Sequence, residues 1–413
     1  MSRLTNKPPL KIGLACAGGV IEGAIYEIGA LNALEEAIDG VCLHELDMYV
    51  GVSSGGLISA LLANGVPART LRQAIVSQAE PPLNIDPSVL FTPAYREYAG
   101  RLSRLPGTLA QTIGQYAVNP GDLSLAGLLV NLGATIPTGL FTNAPLQRFL
   151  ARAFSTGGRT DDFRRLRPAL RIIAMHLDSA EVAAFGGSGY DDVPISKAIQ
   201  ASTALPGLYC PVEINGQHYI DGVARRTVHA SVALDAGVDL LFCINPIVPV
   251  NVQLEQKMDG LRMQSLIDGG LPAVLSQTFR AIVDSRMKTG FKKYAHTHPE
   301  ADLLLVEPEY EEPDLFFSNI FSFSNRHDVA ERAYQATRDH LLAQADTLQP
   351  MLQRRGLDLR LDALRDPTRT LFGDDDGEHP PAHHTRFFEQ TDHVLERLDQ
   401  VLDRVSTDTN GAV

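Results

Sequence analysis

The apolar residues fall into short runs of strand length, at residues 10–16, 48–50, 170–177, 239–246 and 301–308. Nearly continuous runs of this kind, without strict alternation, are the pattern of strands buried on both faces of a sheet. Between them the apolar period lengthens to that of helices, over residues 24–37, 195–204, 230–236, 265–294 and 328–345. Strand and helix therefore alternate, which predicts an α/β fold with a mainly parallel central sheet. Two shorter features interrupt the alternation. Residues 182–185, just before Gly186-Gly187, read as the hairpin partner of 170–177. Asn215-Gly216 separates two alternating segments, a strong hairpin signal, and leaves Asp221 just past a strand at the mouth of the same sheet.

Other segments break the pattern. Pro81, Pro82, Pro87, Pro93 and Pro106 divide residues 66–120 into short helical stretches, and an irregular apolar cap is expected over about 66–148. No charge occurs between Asp122 and Arg148, so residues 123–140 raise the question of a membrane span. Asn131, Pro137 and the glycines of this run argue instead for a buried or pocket-lining segment. The aromatic-rich stretch 316–323 reads as core, with an exposed lipid-facing patch as the alternative. The main domain is expected to end near residue 350. Beyond it come an acidic linker over 373–384 and an amphipathic helix over 385–405, read as a C-terminal helical extension for docking or oligomerisation. His379, His383 and His384 fall in that linker and read as solvated.

Composition narrows the function classes. A formal charge of −13 over 413 residues, with pI about 5.4, makes nucleic acid an unsuitable partner. It also removes any general attraction to anionic membranes, so peripheral lipid contact has to come from local apolar surface. Cys16, Cys42, Cys210 and Cys243 are scattered, with no pair at metal spacing, and read as buried free thiols. With a short polar N-terminus, this points to a cytoplasmic protein needing neither metal nor cofactor.

The chemistry centres on Gly51-Val52-Ser53-Ser54-Gly55, between the strand at 48–50 and a helix of small residues. This is a nucleophile elbow: a sharp turn lifts Ser53 off the sheet and aims the positive helix end at developing negative charge, and Gly51 and Gly55 make the turn sterically feasible. The motif indicates a serine acyl hydrolase. A second glycine-rich turn, residues 17–23, joins the first strand to the first helix. It matches neither the dinucleotide fingerprint nor a P-loop, which favours an oxyanion over a nucleotide phosphate as its ligand.

Together the turn Gly18 to Gly23, the elbow, the block from Ala201 to Val212 and Asp221-Gly222 resemble the patatin-like phospholipases over roughly residues 10–345. The resemblance implies a three-layer α/β/α domain and a Ser53–Asp221 dyad acting through an acyl-enzyme on lipid esters. It implies an oxyanion hole from the N–H groups of Gly18, Gly19 and Val20. Such a dyad requires a desolvated Asp221, because a carboxylate with an ordinary pKa accepts a serine proton poorly. An α/β-hydrolase triad would need a later histidine; His229, His296 and His298 qualify by position but read as surface or structural. Three departures bear on activity: Val20 replaces the third glycine, Glu22 stands where a basic residue is usual, and Val223 follows Asp221-Gly222. Glu22 is expected either to oppose the oxyanion from within the site or to lie on the solvent side of the helix. A weak or inactive scaffold binding lipid or a partner is the alternative reading.

Overall fold

Eight strands form the central sheet of the computed structural model, which describes residues 10–79, 83–86, 89–118, 133, 135–226, 228–250, 265–308 and 325–373. In chain order they are β1 (Ile12–Cys16), β2 (Met48–Val52), β3 (Ala169–His176), β4 (Val182–Phe185), β5 (Val212–Ile214), β6 (Gln217–Asp221), β7 (Leu240–Ile244) and β8 (Asp302–Val306). The hydrogen-bonded order is β8-β7-β1-β2-β3-β6-β5, with β4 also paired to β3. The five strands from β8 to β3 are mutually parallel, and β4, β5 and β6 add antiparallel pairings. The expected hairpins form. Asn215 and Gly216 both take positive φ, 52° and 76°, as a two-residue type I′ turn requires.

The helices that bear on the site are α1 (Val20–Ala37), α2 (Ser54–Ala63), α3 (Tyr95–Val118), α4 (Ile195–Ser202), α5 (Ala230–Asp235), α6 (Gly270–Thr297) and α7 (Arg326–Ala343). Apart from α3, they make the outer layers of an α/β/α arrangement because strand side chains alternate in direction. From β2, Met48, Val50 and Val52 join a core with Ala233 and Leu234 of α5 and Val283 and Met287 of α6. Tyr49 and Gly51 point to the opposite face, where α2 packs on the strands with α1 beside it and α7 against α1. A Cβ on Gly29 would lie 2.3 Å from the Ala330 carbonyl oxygen, so α1 and α7 meet backbone to backbone. Three short strands, Thr92–Pro93, Gly139–Thr142 and Gly207–Tyr209, form a separate small sheet.

The structure departs from the sequence expectations in three places. Helix α1 starts at Val20 rather than residue 24, drawing Gly23 into its first turn, where Gly23 N donates to Gly19 O at 2.8 Å. Pro106 does not break the cap into fragments, since α3 runs continuously through it. The carbonyl that loses its helical donor is that of Leu102, an exposed residue, and water can take the missing role. The compact unit extends to Leu371, past the boundary expected near 350, with residues 372–413 assigned to a second unit. Residues 119–132, the aromatic stretch 316–323, His379, His383, His384 and the helix expected over 385–405 lie outside the described residues.

The chain between 350 and 371 belongs to the first unit for visible reasons. Asp358–Leu359 pairs with Ile38–Asp39, and Leu352, Leu359 and Leu364 are buried. The Arg338 guanidinium donates to the carbonyls of Ala363 at 2.8 Å and Asp366 at 2.6 Å. A chain ending at Gly373 should keep the urea midpoint of the full protein. One ending at Pro350 should lose several kcal/mol, at roughly 1.5–3 kcal/mol per exposed leucine, or precipitate. Equal midpoints for the two truncations would show that this segment contributes nothing to the core.

Candidate active site

Ser53 follows the last residue of β2 and stands at the N-terminus of α2, with φ 54° and ψ −125°, a conformation few residues with a Cβ adopt. The surroundings impose it. A Cβ on Gly51 would lie 2.4 Å from Gly55 O, and one on Gly55 would lie 2.1 Å from Ala17 O, so both glycines are required by backbone contact. The Ser53 N–H donates to Ser202 Oγ at 2.8 Å, and that hydroxyl donates to Ile173 O at 2.5 Å. Ser202, at the end of α4, thus ties the strained elbow to the central strand. Its role went unread in the sequence, where the block around it signalled only family likeness.

Asp221 is brought to Ser53 by strand register. Ile172 and Ile173 pair with β2 and β4 at once, and Ala174 and Met175 pair with β4 and β6 at once. A strand has two edges, so β2 and β6 share one edge of β3 and run toward each other along it. Val52 pairs with Ile173 and Asp221 with Ala174, so the strands end one residue apart. The Ser53 hydroxyl lies close enough to the Asp221 carboxyl to pull its pKa down, and Asp221 Oδ1 accepts from Val223 N at 2.9 Å. Burial is complete enough to push the Asp221 pKa up to about 7, against the opposing pull of Ser53 and the Val223 N–H. Gly222 has to be glycine, because a Cβ there would lie 2.5 Å from Ile173 O. Val223, an unexpected residue after it, is buried in the core and supplies the N–H that Asp221 accepts.

The glycine turn abuts the elbow. A Cβ on Gly18 would sit 2.9 Å from Ser53 Cβ, and one on Gly19, at φ 157°, would sit 2.6 Å from Gly23 Cα. Val20 takes φ 57°, a strained state for a β-branched residue. The turn therefore keeps its left-handed path without a third glycine. Glu22 fulfils neither expectation for it. It is buried, and it lines a small cavity with Gly19, Gly23, Tyr26, Pro246 and Arg280. Arg280 comes from α6 and donates to Val248 O at 3.2 Å; burial lowers its pKa, while the charge of Glu22 acts to raise it. A positive charge from the opposite helical layer thus faces Glu22 behind the turn, which sequence spacing had no means of revealing.

On its open side Ser53 faces a narrow cavity of about 70 Å³. Ile75, Ile85, Leu90, Leu146, Leu205 and Leu208 are among its walls, and among the described residues no charged one lines it. The histidines are placed elsewhere. His229 is buried at φ 50°, its ring nitrogen donates to Gly222 O at 3.3 Å, and burial drives its pKa down to about 4. It is a neutral strut beneath the loop that follows Asp221. His296 approaches Lys292 O and His298 approaches Asp235, both on exposed surface. A hydroxyl close to a carboxyl that titrates near neutrality, beside an apolar cleft and a glycine turn, suits proton transfer coupled to attack on a carbonyl.

The patatin-like phospholipase family profile matches residues 14–234, more than half of the chain. A protein of Invertebrate iridescent virus 6 described as "Probable lipid hydrolase 463L" is 22% identical over 216 residues, which cover 52% of this chain and 61% of the viral protein. The match thus spans less than two thirds of that relative. Among solved structures, VipD from Legionella pneumophila is 14% identical with a TM-score of 0.34, the alignment covering 84% of this chain and 80% of VipD. The type III effector ExoU of Pseudomonas aeruginosa is 16% identical with a TM-score of 0.31, covering 84% and 60%.

Two predictions follow from the charges. A folded-state Asp221 pKa near 7 lies above the unfolded value of about 3.9, so this group's contribution to stability is present below about pH 4 and lost as pH rises through 7. Asp221→Asn should therefore gain stability relative to wild type between those limits, by on the order of a few kcal/mol, in paired urea melts at about pH 5 and about pH 8.5. A difference that does not change with pH would refute the raised pKa. Separately, Glu22→Gln should lower stability by about 1–3 kcal/mol by leaving Arg280 uncompensated. Adding Arg280→Gln should restore part of the loss, and strictly additive losses would show that the two charges do not interact.

Proposed function

The chain belongs to the patatin-like phospholipase family, and from that premise we propose that it hydrolyses carboxylic esters of lipids, with Ser53 as nucleophile and Asp221 as its base. The observation that carries this reading is the closeness of the Ser53 hydroxyl to a buried carboxyl with a pKa about 7, in a cleft without charged walls among the described residues. Ser53 Oγ attacks the acyl carbonyl as Asp221 takes its proton. The oxygen of the tetrahedral intermediate gathers negative charge beside the Gly18, Gly19 and Val20 N–H groups and the positive end of α2. Collapse forms the acyl-enzyme and releases the alcohol, protonated by Asp221. Water, deprotonated by the same carboxylate, then frees the carboxylic acid.

The apolar cavity is narrow enough for an acyl chain and unsuited to a charged headgroup, which favours a lipid substrate. Contact with a lipid surface is supported by Ile267, Leu271, Val274, Leu275 and Ile282, which are exposed along the start of α6 and the turn before it. No helix among the described residues is long and apolar enough to cross a membrane. The reading is of a cytoplasmic enzyme acting at such a surface. An inactive lipid-binding scaffold is the rival reading, and the specific observation in its favour is Val20, β-branched yet held at φ 57° in the turn.

Reaction with a serine-directed fluorophosphonate and turnover of a short-chain nitrophenyl ester separate the two. Wild type should label stoichiometrically and turn over; Ser53→Ala should do neither. The kcat/KM of wild type should rise with pH through an apparent pKa about 7 and then level off, as Asp221 loses its proton. Asp221→Asn should lose at least about a hundredfold. No labelling of folded wild-type protein would leave the scaffold reading in its place.

A further inference from the structure

The structure assigns a second site, remote from Ser53 and independent of its chemistry: we propose that Glu35, Cys42 and His44 bind one zinc ion. Glu35 lies near the C-terminal end of α1, and the other two lie on the loop that leads into β2. Their donor atoms converge. Cys42 Sγ is 3.2 Å from His44 Nδ1 and 4.0 Å from Glu35 Oε1, and His44 Nδ1 is 3.7 Å from the same Oε1. A tetrahedral zinc ion with bonds of about 2.0–2.3 Å separates its ligands by roughly 3.4–3.6 Å, so each observed edge is within a few tenths of an ångström of what the ion requires. Sγ is also 3.5 Å from His44 Nε2, so the thiol faces the ring, and a turn about Cβ–Cγ aims Nδ1 at the common point.

The frame around these atoms is already built. Leu43 N donates to Glu35 Oε1 at 3.2 Å, and Leu43 is fully buried. The Tyr49 hydroxyl donates to Leu43 O at 2.9 Å and accepts from Leu46 N at 3.0 Å. The loop is thereby held from below, while the three ligands stay partly exposed and leave the fourth position to water. The local field favours a cation, because Glu35 and Glu45 place negative charge beside the Cys42 thiol. A mixed sulfur, nitrogen and oxygen set selects a borderline cation over calcium or magnesium. Binding forms the zinc–sulfur bond as the thiol proton passes to solvent; the imidazole coordinates neutral, and nothing is oxidised. The ion would staple the end of α1 opposite to the glycine turn, a structural rather than catalytic place.

The test is titration of the full-length, chelator-treated chain with Co²⁺ and then Zn²⁺. The expected result is one saturable equivalent of cobalt with a thiolate charge-transfer band in the near ultraviolet, displaced by zinc. Zinc should also raise Tm by several degrees while leaving hydrolysis of a nitrophenyl ester within about twofold. The band should persist when His379, His383 and His384 are all replaced by alanine, vanish in Cys42→Ser, and weaken about tenfold or more in His44→Ala. A reading that needs no variant is alkylation by a maleimide, mapped by peptide mass: zinc should slow modification of Cys42 about tenfold while leaving Cys210 unaffected. Absence of a thiolate band, survival of that band in Cys42→Ser, or equal alkylation of Cys42 with and without zinc would overturn the assignment.

Discussion

Along one edge of β3, two strands run head to head and stop one residue apart, β2 pairing through Val52–Ile173 and β6 through Asp221–Ala174. Every feature of the site depends on that collision. Backbone pairing, not side-chain length, sets where the serine and the carboxyl stand, so their closeness is inherited from the sheet. Ile173 is the fulcrum. Its carbonyl accepts from Ser202 Oγ, which holds the Ser53 N–H, and it lies so close to Gly222 that no Cβ fits between them.

Such precision has an energetic cost that the surrounding core offsets. Val20, Ser53 and His229 all hold positive φ without being glycine, one in each of the three loops that converge on Asp221 and Ser53. Asp221 is desolvated to a pKa about 7, which makes it a competent base and an unfavourable buried charge in the same stroke. A carboxylate left in water would be easier to fold around and would accept a serine proton poorly. The α5 and α6 layer, packed on Val50, Val52 and Ile173, supplies the burial that keeps these states populated.

Helix α1 links the site to charges beyond it. Its first turn carries Glu22 behind the glycine turn, where Arg280 of the opposite layer faces it. Both line one small cavity, where solvent screens opposite charges little. The family's usual basic residue is replaced here by a pair assembled from two helices. Toward the other end of α1, the Glu35 carboxylate meets Cys42 and His44 of the loop that follows.

Much of this was legible locally. The strands, the elbow around Ser53, the Asn215-Gly216 hairpin and the position of Asp221 after a strand all rest on periodicity and turn chemistry within a few residues, and such signals survive in a linear string. What only the tertiary structure decided depends on residues far apart in sequence. That β6 meets β2 end to end, that Ser202 holds the elbow, that Arg280 answers Glu22 and that Glu35 closes on Cys42 and His44 are matters of packing between elements. The same holds for Pro106, which reads as a helix breaker and is tolerated because Leu102, the residue it deprives of a partner, is open to water. Sequence pattern encodes what each segment prefers; burial and charge acquire their sign only once the fold determines which groups face each other out of solvent.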